Sequence, residues 1–188
     1  MLVISNGTVV DKKVTLKIEP KIEKGPMATV NGIIVHQTGG SSAPSALASY
    51  SSGAAGAHFL IDRDGTIYQT ARVTQKTWHV GRLQSRCVAE LKCSAPKKWD
   101  PSGTHRTESS KSWPDRYPGN DDSIGVELVG KFDATTKTYE TATSAQNASL
   151  KWLIAELNLT LKLLATEVFR HPTVSYKQPT EAATASWK

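Results

Sequence analysis

Two histidines that lie far apart in the chain have the residue type and the surroundings of metal ligands. His36 ends the apolar run "NGIIVH" and precedes the polar turn "QTGG", so its imidazole should lie at the C-terminal edge of a strand, where clefts of α/β sheets form. His171 precedes Pro172, and proline pushes the preceding residue towards extended geometry, which would hold the ring on a stiff segment. Two neutral imidazoles and one anionic ligand make a zinc site with one position open for water. The alternative for each histidine is an ordinary, partly buried side chain.

The strands that must position these side chains are predicted from four segments. "TLKIEP" (Thr15 to Pro20) has the pattern of a strand, and "NGIIVHQT" (Asn31 to Thr38) and "SIGVELVG" (Ser123 to Gly130) are apolar runs typical of central strands covered on both faces. "AHFLIDRDGTIYQT" predicts two strands joined at "DRDG", because Asp-Gly supplies the positive φ of a tight hairpin.

Two helices are predicted between the strands. "SSAPSALASYSSG" places Pro44 at a first helical position and Gly53 at the end. From Ser144 to about Thr160 leucine and isoleucine recur with helical spacing, after a capping box of Thr143 and Gln146. The remaining long segment, 82–120, is rich in Pro, Ser and Lys and is predicted to be an insertion near the groove. The pattern predicts one α/β domain with a mixed central sheet flanked by helices.

Composition limits the class of protein. The 188 residues are enough for one sizeable core. A net charge of +6 favours an anionic partner, such as nucleic acid, a membrane surface or a cell-wall polymer. The basic residues are scattered, which argues against a nucleic-acid patch. The chain has no apolar run of membrane-spanning length, and its N-terminus lacks the apolar centre of a Sec signal.

The only cysteines, Cys87 and Cys93, are separated by "VAELK". This is not the spacing of a zinc ribbon, and it is compatible with a short disulfide loop. Two inert thiols are the alternative. A disulfide would indicate that the protein works in an oxidising compartment.

Five motifs in order resemble a known family. "GIIVHQTGG", "GAHFLIDRDGTIYQT", "TWHVGR", "NDDSIGVELVG" and "FRHPTVSYK" are similar to the signatures of the zinc-dependent N-acetylmuramoyl-L-alanine amidases, which share their fold with the peptidoglycan recognition proteins. The resemblance omits 1–31, an N-terminal extension, and the 82–120 insertion. It implies a zinc ion in a groove and cleavage of the amide that joins the lactyl group of muramic acid to L-alanine.

The resemblance also implies residue roles. His36 and His171 match the two zinc ligands, Glu127 in "GVEL" matches a general base, and Lys177 matches the lysine that polarises the scissile carbonyl. Two alternatives stay open from the residues themselves. Glu127 alternates with apolar neighbours and could be a salt-bridged glutamate of an edge strand, and Lys177 could be a solvated tail residue.

Other family positions concern the walls of the groove. His58 and His79 match groove positions and are predicted to contact either the ligands or the substrate. Trp78 is predicted to be a hydrophobic wall, with core packing as the alternative. Ala57 occupies a position where the phage-lysozyme branch has a catalytic tyrosine, which favours the glutamate-type mechanism.

The third metal ligand departs from the family pattern. Two residues after the lysine, where relatives carry Asp or Cys, this chain has Pro179, whose side chain cannot bind zinc. Glu181, two residues further on, is the predicted third ligand because its carboxylate is suitable and its side chain long. Gln178 ranks lower because a neutral amide is a poor zinc ligand, and a solvent-completed or degenerate site is the remaining alternative.

The segment "RHPTVSYKQPTEA" is similar to a group of secreted antibacterial effectors of type VI secretion. The resemblance implies export by that machinery, action in the periplasm, and peptidoglycan, a secretion component or a cognate immunity protein as partners of a monomer, without nucleic acid or membrane. A phage lysin, a cytoplasmic amidase that recycles soluble muropeptides, and a catalytically impaired peptidoglycan-binding module are the alternatives.

Overall fold

A mixed β-sheet organises the chain, and the computed structural model describes all residues from Met1 to Lys188. The strands are β1 Val3–Ser5, β2 Thr8–Val10, β3 Val14–Leu16, β4 Gly32–Gly39, β5 Phe59–Ile61, β6 Ile67–Gln69, β7 Ser123–Asp133, β8 Thr138–Tyr139 and β9 Val168–Arg170. The helices are α1 Ala43–Tyr50, α2 Arg86–Ala89, α3 Pro101–Ser109, α4 Ser144–Leu161 and α5 His171–Val174. None of them combines the length and apolar character needed to span a bilayer.

The sheet order brings the candidate residues to one edge. The strands lie in the order β3-β6-β5-β7-β4-β9, and β4 runs parallel to both β7 and β9. His36 of β4 is opposite Glu127 of β7, and Val35 is opposite Arg170, the residue before His171. Because parallel strands end at the same edge of a sheet, the side chains of His36, Glu127 and His171 lie close together although they are far apart in sequence.

The two apolar central strands are covered on both faces, which explains their continuous hydrophobic pattern. On one face α4 packs Leu150, Leu153 and Leu157 onto the sheet, and all three are fully buried. On the other face α1 packs against Leu60 and Val129. Full burial of each such side chain contributes about 1.5–3 kcal/mol. The predicted fold class, a single α/β domain with a mixed central sheet flanked by helices, is confirmed.

Most local predictions hold. The hairpin forms at "DRDG" with Gly65 at a φ of +90°. The capping box of Thr143 and Gln146 begins α4, and the left-handed Lys162 ends it. The strand predicted at Thr15 to Pro20 is observed as β3, Val14–Leu16; Lys17 and Glu19 still donate to the carbonyls of Gln69 and Thr70, until Pro20 begins a 3₁₀ turn.

The two segments outside the family motifs have ordered structure. Within 1–31, β3 extends the sheet, and Leu2, Val9 and Met27 enter the main core. The 82–120 segment contains α2 and α3, and a disulfide joins Cys87 to Cys93. The alternative of two inert thiols is therefore not what the structure contains.

Candidate metal centre and catalytic cavity

A cavity of about 700 Å³ opens at the C-terminal edge of β4 and β7. Its lining includes His36, Glu127, His171, Lys177 and Glu181. These residues come from two central strands, from the start of α5 and from the turn that follows it. The sheet thus brings the predicted ligands, base and lysine into one space.

Three buried side chains form a cluster of metal-ligand type. One donor atom from each of His36, His171 and Glu181 lies within 4.8 Å of the other two. The Glu181 Oε1 atom is 2.9 Å from Nδ1 of His171 and 3.6 Å from Nδ1 of His36. Two imidazole nitrogens and one carboxylate oxygen are a donor set that zinc accepts in catalytic sites. The residues therefore fit the metal that the family motifs imply.

The charge state of the cluster also suits a divalent cation. Burial, with a further contribution from His171, lowers the pKa of His36 to about 4, so this ring is neutral near pH 7. Burial alone would raise the pKa of Glu181, but the adjacent rings of His171 and His36 lower it to about 2. A neutral imidazole and an ionised carboxylate are the forms in which these groups bind metal.

The backbone fixes the orientation of the His171 ring. Its Nε2 atom donates to the Val80 carbonyl at 2.8 Å, which turns Nδ1 towards Glu181. The extended geometry predicted for His171 is wrong, since this residue begins the four-residue helix α5. The reason is that Pro172 needs no N–H partner in a first helical turn, and Ser175 closes that turn by donating to the His171 carbonyl.

A chain of hydrogen bonds fixes the tautomer of His36. Ser123 Oγ donates to the Gly119 carbonyl, so it must accept from His79 Nε2, 3.2 Å away. With its proton on Nε2, His79 accepts at Nδ1 from Nε2 of His36 at 3.0 Å. The Nδ1 atom of His36 is then left with a free lone pair on the side of Glu181. His79, which also lines the cavity, thus contacts a candidate ligand directly.

The turn that carries Glu181 is held by distant residues. The backbone N–H of Ala182 donates to Gln37 Oε1 at 3.0 Å, and Arg170 Nε donates to the Ala182 carbonyl at 2.9 Å. Ala182 has a left-handed φ of +53°, which redirects the chain directly after Glu181. Gln178 also lines the cavity, but it is exposed, whereas Glu181 is buried.

Glu127 has a partner that the sequence did not reveal. The Tyr50 hydroxyl, from the last turn of α1, donates to Glu127 Oε2. Burial raises the pKa of Glu127, and the hydrogen bond from Tyr50 partly offsets that effect. Burial and the nearby Glu127 raise the pKa of Tyr50 well above 10, so the phenol keeps its proton. The alternative of an edge-strand glutamate is wrong, because β7 pairs with β4 and β5 on its two sides.

The sequence indicates that Tyr50 lies on a packed helix face, but not which residue it contacts. The spacing of Leu47 and Tyr50 indicates the packed face of a helix directly after the His36 strand. Nothing in that spacing indicates a contact with Glu127, which is 77 residues away. Asn120 was also missed, and its Oδ1 accepts from the backbone N–H groups of His79 and Val80 at 3.0 and 2.8 Å.

The remaining predicted residues differ in position. Lys177 is exposed and lines the cavity. Trp78 also lines it and is 54% exposed, so the core-packing alternative is wrong.

The prediction that His58 lines the groove is wrong. The ring is fully buried, with Nε2 donating to the Gln75 carbonyl at 2.8 Å and Nδ1 accepting from the Gly125 N–H at 3.0 Å. Burial lowers its pKa to about 4. The neutral ring therefore satisfies two buried backbone groups and has no free nitrogen for a substrate.

Comparison with known proteins identifies the family. Residues 26–184 match the sequence profile of the N-acetylmuramoyl-L-alanine amidase family Amidase_2. A search of curated proteins found no match.

Three solved structures, all under 25% identical to this chain, illustrate the shared fold. A selenomethionine AmpD derivative is 19% identical with a TM-score of 0.66, covering 99% of this chain and 96% of that one. The amidase LysC from Clostridium intestinale URNW is 18% identical with a TM-score of 0.58, covering 94% and 92%. The Drosophila peptidoglycan recognition protein SD is 14% identical with a TM-score of 0.51, covering 93% and 91%. Because the family profile matches most of its length, this chain belongs to the N-acetylmuramoyl-L-alanine amidase family of hydrolytic enzymes.

Proposed function

We propose that the protein is a zinc-dependent amidase that cleaves the bond between the lactyl group of N-acetylmuramic acid and L-alanine in peptidoglycan. The observation that carries the proposal is the buried donor cluster of His36, His171 and Glu181, in a cavity that Glu127 and Lys177 also line. Family membership supports the reaction class, and the donor set supports zinc as the metal.

Zinc held by His36, His171 and Glu181 would supply Lewis-acid polarisation of the scissile carbonyl and of the attacking water. Glu127 would accept a proton from that water and pass it to the leaving amine. Its raised pKa makes it a stronger proton acceptor than an ordinary glutamate. Lys177 would stabilise the negative charge that develops on the carbonyl oxygen.

Two further side chains would assist this chemistry. Tyr50 holds one oxygen of Glu127, which leaves the other oxygen for the proton transfer. Trp78 provides a half-exposed aromatic wall for the sugar or the peptide.

A module that only binds peptidoglycan is the less favoured alternative. Binding alone requires neither a base nor a group that stabilises an oxyanion. The cavity nevertheless contains Glu127 with a dedicated hydrogen-bond donor, together with Lys177. This combination favours an active enzyme.

We also propose that the enzyme acts outside the cytoplasm, as an antibacterial effector or lysin. The Cys87–Cys93 disulfide supports this, because disulfides persist in oxidising compartments such as the periplasm. Export by a type VI machinery and neutralisation by an immunity protein rest on the sequence resemblance. A cytoplasmic amidase that recycles soluble muropeptides is the alternative.

The reaction is tested by incubating the purified protein with sacculi and analysing the products by mass spectrometry. We expect intact stem peptides with a free amino group on L-alanine. Fragments cut within the sugar chain, or between two residues of the peptide, would contradict the proposed specificity. Soluble muropeptides assayed in parallel separate a recycling enzyme, which would cleave only these, from one that degrades the intact wall.

The metal site is tested by measuring zinc content. We expect about one zinc per chain, and Glu181→Gln should weaken zinc binding because it removes the anionic ligand. Gln178→Ala is the matched control, since Gln178 lines the same cavity but is exposed and carries no charge. Zinc loss in the Gln178 variant but not in the Glu181 variant would reverse the assignment of the third ligand.

A further inference from the structure

A second concave surface lies on the 82–120 insertion, outside the catalytic cavity. It consists of two adjoining cavities of about 340 and 530 Å³, which we call together the insertion groove. The residues common to both cavities are Ser85, Val88, Pro96, Lys98, Asp100 and Thr104. Because the cavities share one wall, a single extended ligand could occupy both.

The insertion carries most of the excess positive charge of the protein. It contains eight Lys or Arg and four Asp or Glu, so its net charge is +4 in a chain of +6. Its buried and half-buried cations are paired, as in the bidentate pair of Arg86 with Glu167. Four exposed cations make no ion pair: Arg82, Lys97, Lys98 and Arg106. Lys98 and Arg106 line the insertion groove, as do two acidic residues: Asp100, which caps α3, and Glu108, which is paired with Lys111.

One end of the insertion groove is aromatic and lies next to the catalytic cavity. Trp99 is 76% exposed, and its ring meets Tyr176 edge to face with centroids 5.1 Å apart. Both rings line the smaller cavity. Tyr176 directly precedes Lys177, which lines the catalytic cavity. A polymer with one unit at the catalytic residues could therefore place a nearby unit in the insertion groove.

The insertion is anchored to the rest of the protein. Leu83 forms a bridge to Ser175, and Trp113 Nε1 donates to Glu167 at 3.0 Å. Asp100 caps α3 by accepting from the Gly103 N–H at 2.8 Å. A surface held in this way loses little conformational entropy when it binds a ligand.

We propose that the insertion groove binds a second, carboxylate-ended stem peptide of the same peptidoglycan molecule, beside the one being cleaved. The exposed cations complement the carboxylates, and the apolar and aromatic wall suits a peptide of small residues. This inference rests on the proposed function, because the catalytic cavity must hold the first unit of the polymer. The groove favours the crosslinked, many-stemmed wall over a single soluble muropeptide by adding a second attachment point.

The test measures binding of full-length, zinc-loaded protein to sacculi stripped of other wall polymers. Glu127→Gln is the parent, since it prevents digestion during sedimentation. We expect Lys98→Glu with Arg106→Glu to weaken binding about tenfold or more at low salt, and added salt to reduce the difference. Lys12→Glu with Lys17→Glu is the matched control, because both lysines are exposed on the N-terminal segment, far in sequence from the insertion. Equal thermal unfolding temperatures show that all variants fold.

Several outcomes would contradict the proposal that the insertion groove binds a second stem peptide. Equal weakening in the control variant would mean that only net charge matters, and unchanged binding of the insertion variant would mean that the groove is not used. Sacculi whose stem peptides have been removed should bind the parent at least as weakly as intact sacculi bind the insertion variant, because they also lack the peptide that the catalytic cavity holds. Full binding to such bare glycan would identify a different occupant. A soluble muropeptide assay with unsubstituted enzyme decides the proposed function separately.

Discussion

The catalytic cavity and the insertion groove differ in how their charged groups are buried and paired. In the cavity, His36, His171 and Glu181 are buried and contact one another directly. In the groove, Lys98 is exposed and makes no ion pair. Buried polar networks are strongly coupled, so one substitution disturbs every member, whereas exposed charges act weakly, additively and in a salt-dependent way. The difference indicates that chemistry depends on the cavity as a unit and that the groove adjusts affinity in small steps.

The secondary-structure elements that carry the two regions also differ. His36 and Glu127 lie on adjacent central strands that are hydrogen-bonded on both sides. The groove is carried by two short helices, with a disulfide and the Arg86–Glu167 pair as anchors. Catalytic geometry needs the stiffer support, because small displacements of reacting groups reduce the rate strongly.

The largest expected effect is that of Glu127→Gln. Loss of the base should lower kcat on a soluble muropeptide by about 10²–10⁴-fold. Zinc content should be unchanged, because Glu127 is not in the donor cluster. Single-turnover kinetics with metal analysis check both points. Turnover within tenfold of the unsubstituted enzyme would show that another group is the base. It would also contradict the expected difference between large effects in the catalytic cavity and small effects in the insertion groove.

The next effect concerns the hydrogen-bond chain behind His36. His79→Phe should weaken zinc binding about 10–100-fold, because the tautomer of His36 is no longer fixed. Ser123→Ala should have a smaller effect, since it breaks the chain one step further from the metal. Competition with a chromogenic chelator measures both affinities. Equal zinc affinities in the two variants and the parent would mean that zinc binding does not depend on the hydrogen bonds behind His36.

The smallest effect is expected for Tyr50→Phe. A hydrogen bond to a carboxylate stabilises the ionised form, so its removal should raise the pKa of Glu127 further. The acidic limb of the pH profile of kcat should then move to higher pH, with kcat about tenfold lower near that limb. Tyr139→Phe is the control, because it removes a cavity phenol that makes no hydrogen bond to Glu127. An unmoved limb would show that Tyr50 does not hold the base.

Local patterns predicted the elements well. The hairpin at "DRDG", the capping box of α4 and the apolar strand that ends at His36 are each encoded within a few neighbouring residues. The position of His36 at the C-terminal edge of a central strand was also predicted, but strand β9, which brings His171 to that edge, was not. Family motifs supplied the roles of Glu127 and Lys177.

Contacts between distant segments could not be read from these patterns. His58 belongs to a motif near the groove, yet both of its ring nitrogens are hydrogen-bonded to the backbone groups of Gln75 and Gly125. The partnership of Tyr50 with Glu127 depends on how α1 packs across the sheet. The place of Glu181 depends on Gln37 and Arg170, which hold the turn after it.

The sequence by itself determined the central strands, the main helix and the types of residue available for metal binding and proton transfer, because hydrophobic periodicity and turn chemistry are local. Only the tertiary structure decided which nitrogen of each histidine faces Glu181, which phenol holds Glu127, and that the insertion groove begins one residue from Lys177. These features arise where segments far apart in the chain meet, and buried polar groups there must find partners in whatever the fold brings near.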